Sequence, residues 1–205
     1  MRILRLILLC ILLISAGFLC YKEELVGEYY LSEETRSLIP FAGYEKLVFV
    51  VDSIDMTELL AGHRSDTIIR GYIDEDEHEY IFCESDYIYF SNSEYAISLR
   101  VGTCIFDPTG LGFGFFFLDS NYTYSNDISV NPDDNRYKVI DSLMINGSWV
   151  HEVLFDTLYY AHNQPPFPSD SFDYPTKCYY SKTLGVVRID FVDGSFWELK
   201  EIIWK

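Results

Sequence analysis

The sequence holds side chains able to do chemistry, but their spacing does not assemble them. Serine catalysis takes a Ser three residues before a Lys, or a Ser inside G-x-S-x-G, and neither occurs. His63, His78, His151 and His162 are scattered, and His151-Glu152 lacks the second His that a zinc-protease helix needs. Cys10, Cys20, Cys83, Cys104 and Cys178 form no C-x-x-C pair. Asp74-Glu75-Asp76-Glu77-His78-Glu79 offers the oxygens that Ca²⁺ takes, without the glycine and second helix of a calcium hand, and reads as a solvated hairpin tip. Gly110-Leu111-Gly112-Phe113-Gly114 is not the G-x-G-x-x-G cradle. Phe115-Phe116-Phe117 follows where a helix would start, so a bulged or closely packed strand is expected. Asp133-Asp134 could pair as general acid and base but reads as turn carboxylates. These patterns name no catalytic residue, no metal ligand and no cofactor.

Composition narrows the partners. Thirty-two acidic residues against 15 basic ones give a net charge of −17. Phosphate neutralisation needs a Lys/Arg surface, which argues against nucleic acid, and the same sign argues against electrostatic docking on anionic lipid. With 49% hydrophobic residues the chain is too apolar to stay disordered. Its 205 residues suit a single domain.

The elements that would position any site begin with a leader. Arg2 and Arg5 form a short basic start, and Leu6 to Leu19 is apolar almost without break. That run is too short for a hydrocarbon core ~30 Å thick, and with Ser15, Ala16 and Gly17 near its end it reads as a secretory signal over 1–19. An uncleaved anchor is the other reading. Residues 20–45 are expected to be a tether and a short helix, with Ser32 as cap, Glu33 and Glu34 in the first turn, Pro40 as the stop, and Leu31, Leu38 and Ile39 packed on a sheet.

Residues 46–205 read as one mainly β domain, an antiparallel curved sheet or an open or closed barrel. Strands are expected at 46–52, 66–73, 79–83, 87–91, 95–101, 113–118, 137–145, 149–160, 178–181, 186–191 and 196–200, where β-branched and aromatic residues gather. Asp107-Pro108, Asn131 to Asp134, Asn146-Gly147 and Asp193-Gly194 mark turns, and Asn163–Pro175, rich in proline, reads as a loop. For the last hairpin, a three-residue loop Val192-Asp193-Gly194 sets Ile189 opposite Trp197 and Arg188 opposite Glu198, which sorts apolar from charged faces. Cys83, Cys104 and Cys178 lie in strand-like stretches and read as small buried hydrophobes, with a disulfide among them as the alternative outside the cytosol. Phe113, Phe115, Phe116, Phe117, Tyr122, Tyr124, Tyr159, Tyr160, Tyr179 and Tyr180 either fill a core or line a pocket.

Cys20 closes the leader, and Tyr21-Lys22-Glu23-Glu24 follows. This resembles a bacterial lipoprotein signal, although Leu19 stands where a small residue is usual. Lys22-Glu23-Glu24 resembles the acidic tag of surface-exported Bacteroidetes lipoproteins. Val139 to Gly147, the strand with His151-Glu152-Val153, Tyr179 to Ile189 running into Asp193 to Leu199, and Leu31 to Phe41 with Glu45 to Phe49 are also similar to such proteins; 52–134 is poorly matched. The resemblance implies diacylglycerol on the Cys20 thiol, export to the outer membrane or cell surface, and no assigned activity. It also implies O-glycosylation at Asp-Ser/Thr-apolar triplets such as Asp52-Ser53-Ile54, Asp66-Thr67-Ile68, Asp141-Ser142-Leu143 and Asp156-Thr157-Leu158. The expected function is a lipid-anchored, non-catalytic envelope module whose partner is a protein or an apolar ligand. The alternatives are a lipid carrier with a half-barrel pocket and, behind it, a hydrolase; for location, the periplasm or secretion.

Overall fold

The computed structural model describes residues 23–51, 56–73, 79–103, 110–118, 122–129, 132–133, 135–160 and 174–204. The leader, Cys20, Asp74 to His78, Cys104, Asp107-Pro108, Asn131, Asp134, His162 and residues 163–173 of the expected loop lie outside them. Among the described residues the chain is mainly β, as its composition leads one to expect. The strands are β1 (Glu24–Tyr29), β2 (Lys46–Val51), β3 (Met56–Tyr72), β4 (Glu79–Ser91), β5 (Tyr95–Gly102), β6 (Gly110–Phe117) and β7 (Tyr122–Ser129). They continue with β8 (Val139–Ile145), β9 (Ser148–Thr157), β10 (Tyr159–Tyr160), β11 (Pro175–Ser181), β12 (Gly185–Phe191) and β13 (Phe196–Ile203). Helix α1 is Glu33–Arg36.

One sheet runs in the order β10-β7-β6-β5-β4-β3-β2-β13-β12-β11-β9-β8. All these pairings are antiparallel, while β1 pairs with β4 in parallel. The sheet curls and is not closed by a continuous ladder. One end strand, β10, is nonetheless joined through the chain to the strand next to the other end, because Leu158 alone separates β9 from β10, and Asn126 Nδ2 donates to the Thr157 carbonyl at 2.8 Å. The inner face is filled. Phe115 packs on Trp197 at 5.6 Å and on Phe117 at 5.3 Å between ring centres, and Tyr95 meets Trp197 edge-on at 5.1 Å.

Local signals set the C-terminal hairpin and the helix cap. Arg188 pairs with Glu198 and Ile189 with Trp197, and the loop closes with Phe191 N–H on the Ser195 carbonyl. Gly194 takes φ +90°, which an L side chain resists. Asn146-Gly147, with φ 44° and 81°, joins β8 to β9. Ser32 caps α1 and accepts from Thr35 N–H at 3.1 Å.

Other expectations need correction. The helix ends at Arg36, before Pro40, and Glu24–Tyr29 is a strand of the sheet rather than tether. Residues 79–91 form one strand, β3 begins at Met56 rather than Asp66, and Tyr122–Ser129 is a strand where none was expected. Pro175 opens β11 instead of ending a loop. The glycine run lies in β6, where a side chain at Gly114 would crowd Ser98 and Phe116.

Candidate interaction surface

Residues 30–45 lie across one end of the curled sheet as a cap. Arg36 pairs with Glu84 of β4, and Glu84 Oε2 also accepts from Leu31 N–H at 2.8 Å. Arg64 of β3 makes a bidentate pair with Asp86 of β4 and donates to the Phe41 carbonyl. Tyr180 of β11 donates its hydroxyl to the Leu38 carbonyl. The Glu45 carboxylate accepts from Ala42, Gly43 and Tyr44 N–H at 2.7 to 3.0 Å. Phe41 packs edge-on to Phe90 at 4.9 Å, and Leu31, Ile39 and Phe41 are buried.

This cap divides one face of β3 and β4. Side chains alternate along a strand, so Phe90, Ile88, Asp86, Glu84, Phe82 and Tyr80 share a face. The register sets Arg64, Ile68, Arg70 and Tyr72 on the same side, opposite Ile88, Glu84, Phe82 and Tyr80. On the core side of the cap, Phe90 and Ile88 are fully buried. At the cap, Asp86 and Glu84 meet their arginines. Past it the face stays apolar but stands in water: Ile68 is 58% exposed and Tyr72 37%. β1 widens this face, since Leu25 pairs with Tyr80 and Glu28 with Phe82. Leu25 is exposed, and so is Tyr30 just beyond β1, whose hydroxyl donates to Glu28. That acceptor, first of all, raises the Tyr30 pKa.

Arg70 stands in the middle. Its guanidinium lies 3.9 Å from the Tyr80 ring centre and 4.9 Å from that of Tyr72, and it pairs with Glu23. The cation is thereby held over two aromatic rings. A three-stranded apolar platform results, its Arg70 neutralised.

A second organised cluster crosses β9 and β11 to β13. Phe155 stacks on Tyr179, Tyr179 donates to Asp190 Oδ2 at 2.8 Å, and Arg188 bonds both Asp190 and Glu198 while lying over the Phe196 ring. Burial and the Asp190 carboxylate push the Tyr179 hydroxyl up to about 12. Each of these polar groups already has a partner within the cluster, so it reads as a lock between strands.

The residues singled out for chemistry are not brought together. His63 lies exposed on β3 and His151 on β9, with the neighbouring Glu152 in left-handed backbone at φ 53°. Asp133 is exposed in a turn. Among the described residues no group of three or more His, Cys, Asp or Glu could hold a metal ion. Cys83 and Cys178 are fully buried; Cys178 is a free thiol whose pKa burial raises well above the ordinary value. Of the glycosylation triplets, Thr67 is exposed, Ser142 and Thr157 are half-buried, and Ser53 lies outside the described residues. No helix among the described residues is long and apolar enough to cross a membrane.

The platform could not be read from the sequence, because Ile68, Tyr72, Tyr80 and Phe82 carry the alternation of an ordinary half-buried hairpin. Only the position of the cap shows that their shared face is left in water. Comparison with protein-family models, with curated proteins and with solved structures finds no match for this chain.

Proposed function

We propose that this chain is a lipid-anchored, non-catalytic protein of the cell envelope, exported to the outer membrane or cell surface, that holds a partner on the platform built by β1, β3 and β4. The alternative location is the periplasm or outside the cell. The carrying observation is a core-type face that continues past its cap into water, because contiguous exposed apolar surface of this kind marks interaction sites. The leader and Cys20 support the anchor. Three residues lie between Cys20 and Glu24, four chain steps with a reach of at most about 14 Å, so a lipid on Cys20 would hold the platform close to its membrane. Among the alternatives, a carrier is less favoured: Phe113, Phe115, Phe117 and Tyr180 are buried, and ring-to-ring contacts of Phe115 and Phe117 help to fill the interior.

Metabolic labelling with a palmitate analogue tests the anchor. Wild type should take label and sediment with membranes, and Cys20→Ala should do neither. Label retained in Cys20→Ala would defeat the anchor.

A further inference from the structure

We infer that the platform binds a cationic, extended segment of another protein, one that sets both lysine or arginine and apolar side chains on the same face of its strand. The inference rests on the reading of the chain as a binding module and names the chemistry of its partner.

Charge decides the class of partner. The platform carries Glu23, Glu24, Glu28, Asp66 and Glu84 on or beside it, against Arg36 and Arg70. Both arginines are already committed, Arg70 to Glu23 and Arg36 to Glu84. Glu24, Glu28 and Asp66 have no ion pair among the described residues, so the rim of an apolar centre is negative. A second copy of a chain of charge −17 would bring more acid to that rim. Anionic lipid and nucleic acid meet the same repulsion. A protein segment carrying Lys or Arg is drawn to it, and its apolar side chains cover Ile68 and Tyr72.

Backbone geometry decides the shape. β2 pairs with β3 only over Met56–Ala61, and β4 pairs with β3 over Ala61–Tyr72. From Asp66 to Tyr72 the far edge of β3 has no ladder partner among the described residues. Such an edge presents backbone N–H and C=O groups to an added strand. A strand laid there puts alternate side chains on the platform, where Ile68, Arg70 and Tyr72 stand.

The test uses the full-length chain in detergent micelles and two synthetic probes, a peptide repeating Lys-Lys-Val-Val, which sets both residue types on each face of a strand, and its Glu-Glu-Val-Val twin. Titration calorimetry at low salt should show the lysine peptide binding at least about tenfold tighter than its twin, and weakening as salt screens the rim. The double variant Ile68→Ser/Tyr72→Ser, checked for an unchanged unfolding temperature, should lose about tenfold or more in affinity. Hydrogen exchange should slow in 66–72 when the lysine peptide is bound. Equal binding of both peptides, binding indifferent to the double variant, or no protection in 66–72 would overturn the inference. So would flotation with phosphatidylcholine vesicles, or a dimer in sedimentation equilibrium, if the double variant abolished either. Loss of label at Cys20 leaves this result standing, and failed peptide binding leaves the anchor standing, so the two readings fail separately.

Discussion

The ring of Phe41 lies against Gly185: a β-carbon at position 185 would stand 2.3 Å from ring carbons Cε2 and Cζ. Phe41 is 1% exposed and packs against Phe90, so it has nowhere to swing. Gly185 also takes φ +73°. Left-handed backbone costs an L residue ~1–2 kcal/mol, and overpacking a core adds ~1–3 kcal/mol. Gly194, at φ +90° with nothing within 4 Å of the added carbon, carries only the first cost. Gly185→Ala should therefore lose ~3 kcal/mol and Gly194→Ala ~1 kcal/mol, read from urea midpoints at constant slope. Equal losses would show that Phe41 does not seat on Gly185.

Arg64 and Asp86 form the joint between cap and sheet. Asp86 is 2% exposed, and Arg64 is also bonded to the Phe41 carbonyl. Arg64→Met would strand a buried carboxylate and should cost ~3 kcal/mol. Replacing both partners removes the stranded charge, so Arg64→Met/Asp86→Leu should recover at least ~1 kcal/mol of that loss. Denaturant titration of the two variants decides it. A double variant less stable than Arg64→Met would mean that the pair contributes more than mutual neutralisation.

Two carboxylates of the cap tie stability to pH. The N–H of Leu31, and next the Arg36 guanidinium, hold Glu84 below its ordinary 4.5. Burial opposes ionisation of Glu45, but the N–H groups of Ala42, Gly43 and Tyr44 outweigh it, and its pKa also falls below 4.5. A group with a folded pKa below its unfolded one stabilises fully above the unfolded value and loses that contribution as pH falls through the folded one. The unfolding temperature should thus fall below about pH 4.5. In Glu84→Gln it should start lower at neutral pH, and the gap to wild type should shrink on acidification. A gap that stays constant down to pH 3 would remove Glu84 from the acid response.

What the sequence displayed was local. Ser32 with Glu33 and Glu34 placed a cap within one turn, and the alternation from Val187 to Leu199 admitted one register that sorts the faces, the register observed. What it hid depends on partners far along the chain. β1 forms because β4, some fifty residues on, offers a parallel edge, and Glu24 to Tyr29 alone carries no strand alternation that requires it. Tyr122–Ser129 is half polar, yet it is held between β6 and β10. The middle of β3 contains Gly62, His63, Arg64 and Ser65, poor strand formers that neighbours on β4 override. The platform was hidden for the same reason: strand alternation says which residues share a face, and only the cap says where that face meets water.

That boundary can be measured along a single face. Phe90 and Ile68 share it, Phe90 fully buried on the core side of the cap and Ile68 58% exposed beyond it. Phe90→Ala removes a core ring and should cost ~3–5 kcal/mol. Ile68→Ser removes an apolar group that meets solvent in the free chain and should change stability by no more than ~0.5 kcal/mol. Calorimetric unfolding of the two variants reads the difference. If Ile68→Ser destabilised as Phe90→Ala does, the core would extend past the cap and the platform would be interior. A near-silent Ile68→Ser would place Ile68 outside the core, as an exposed face beyond the cap requires.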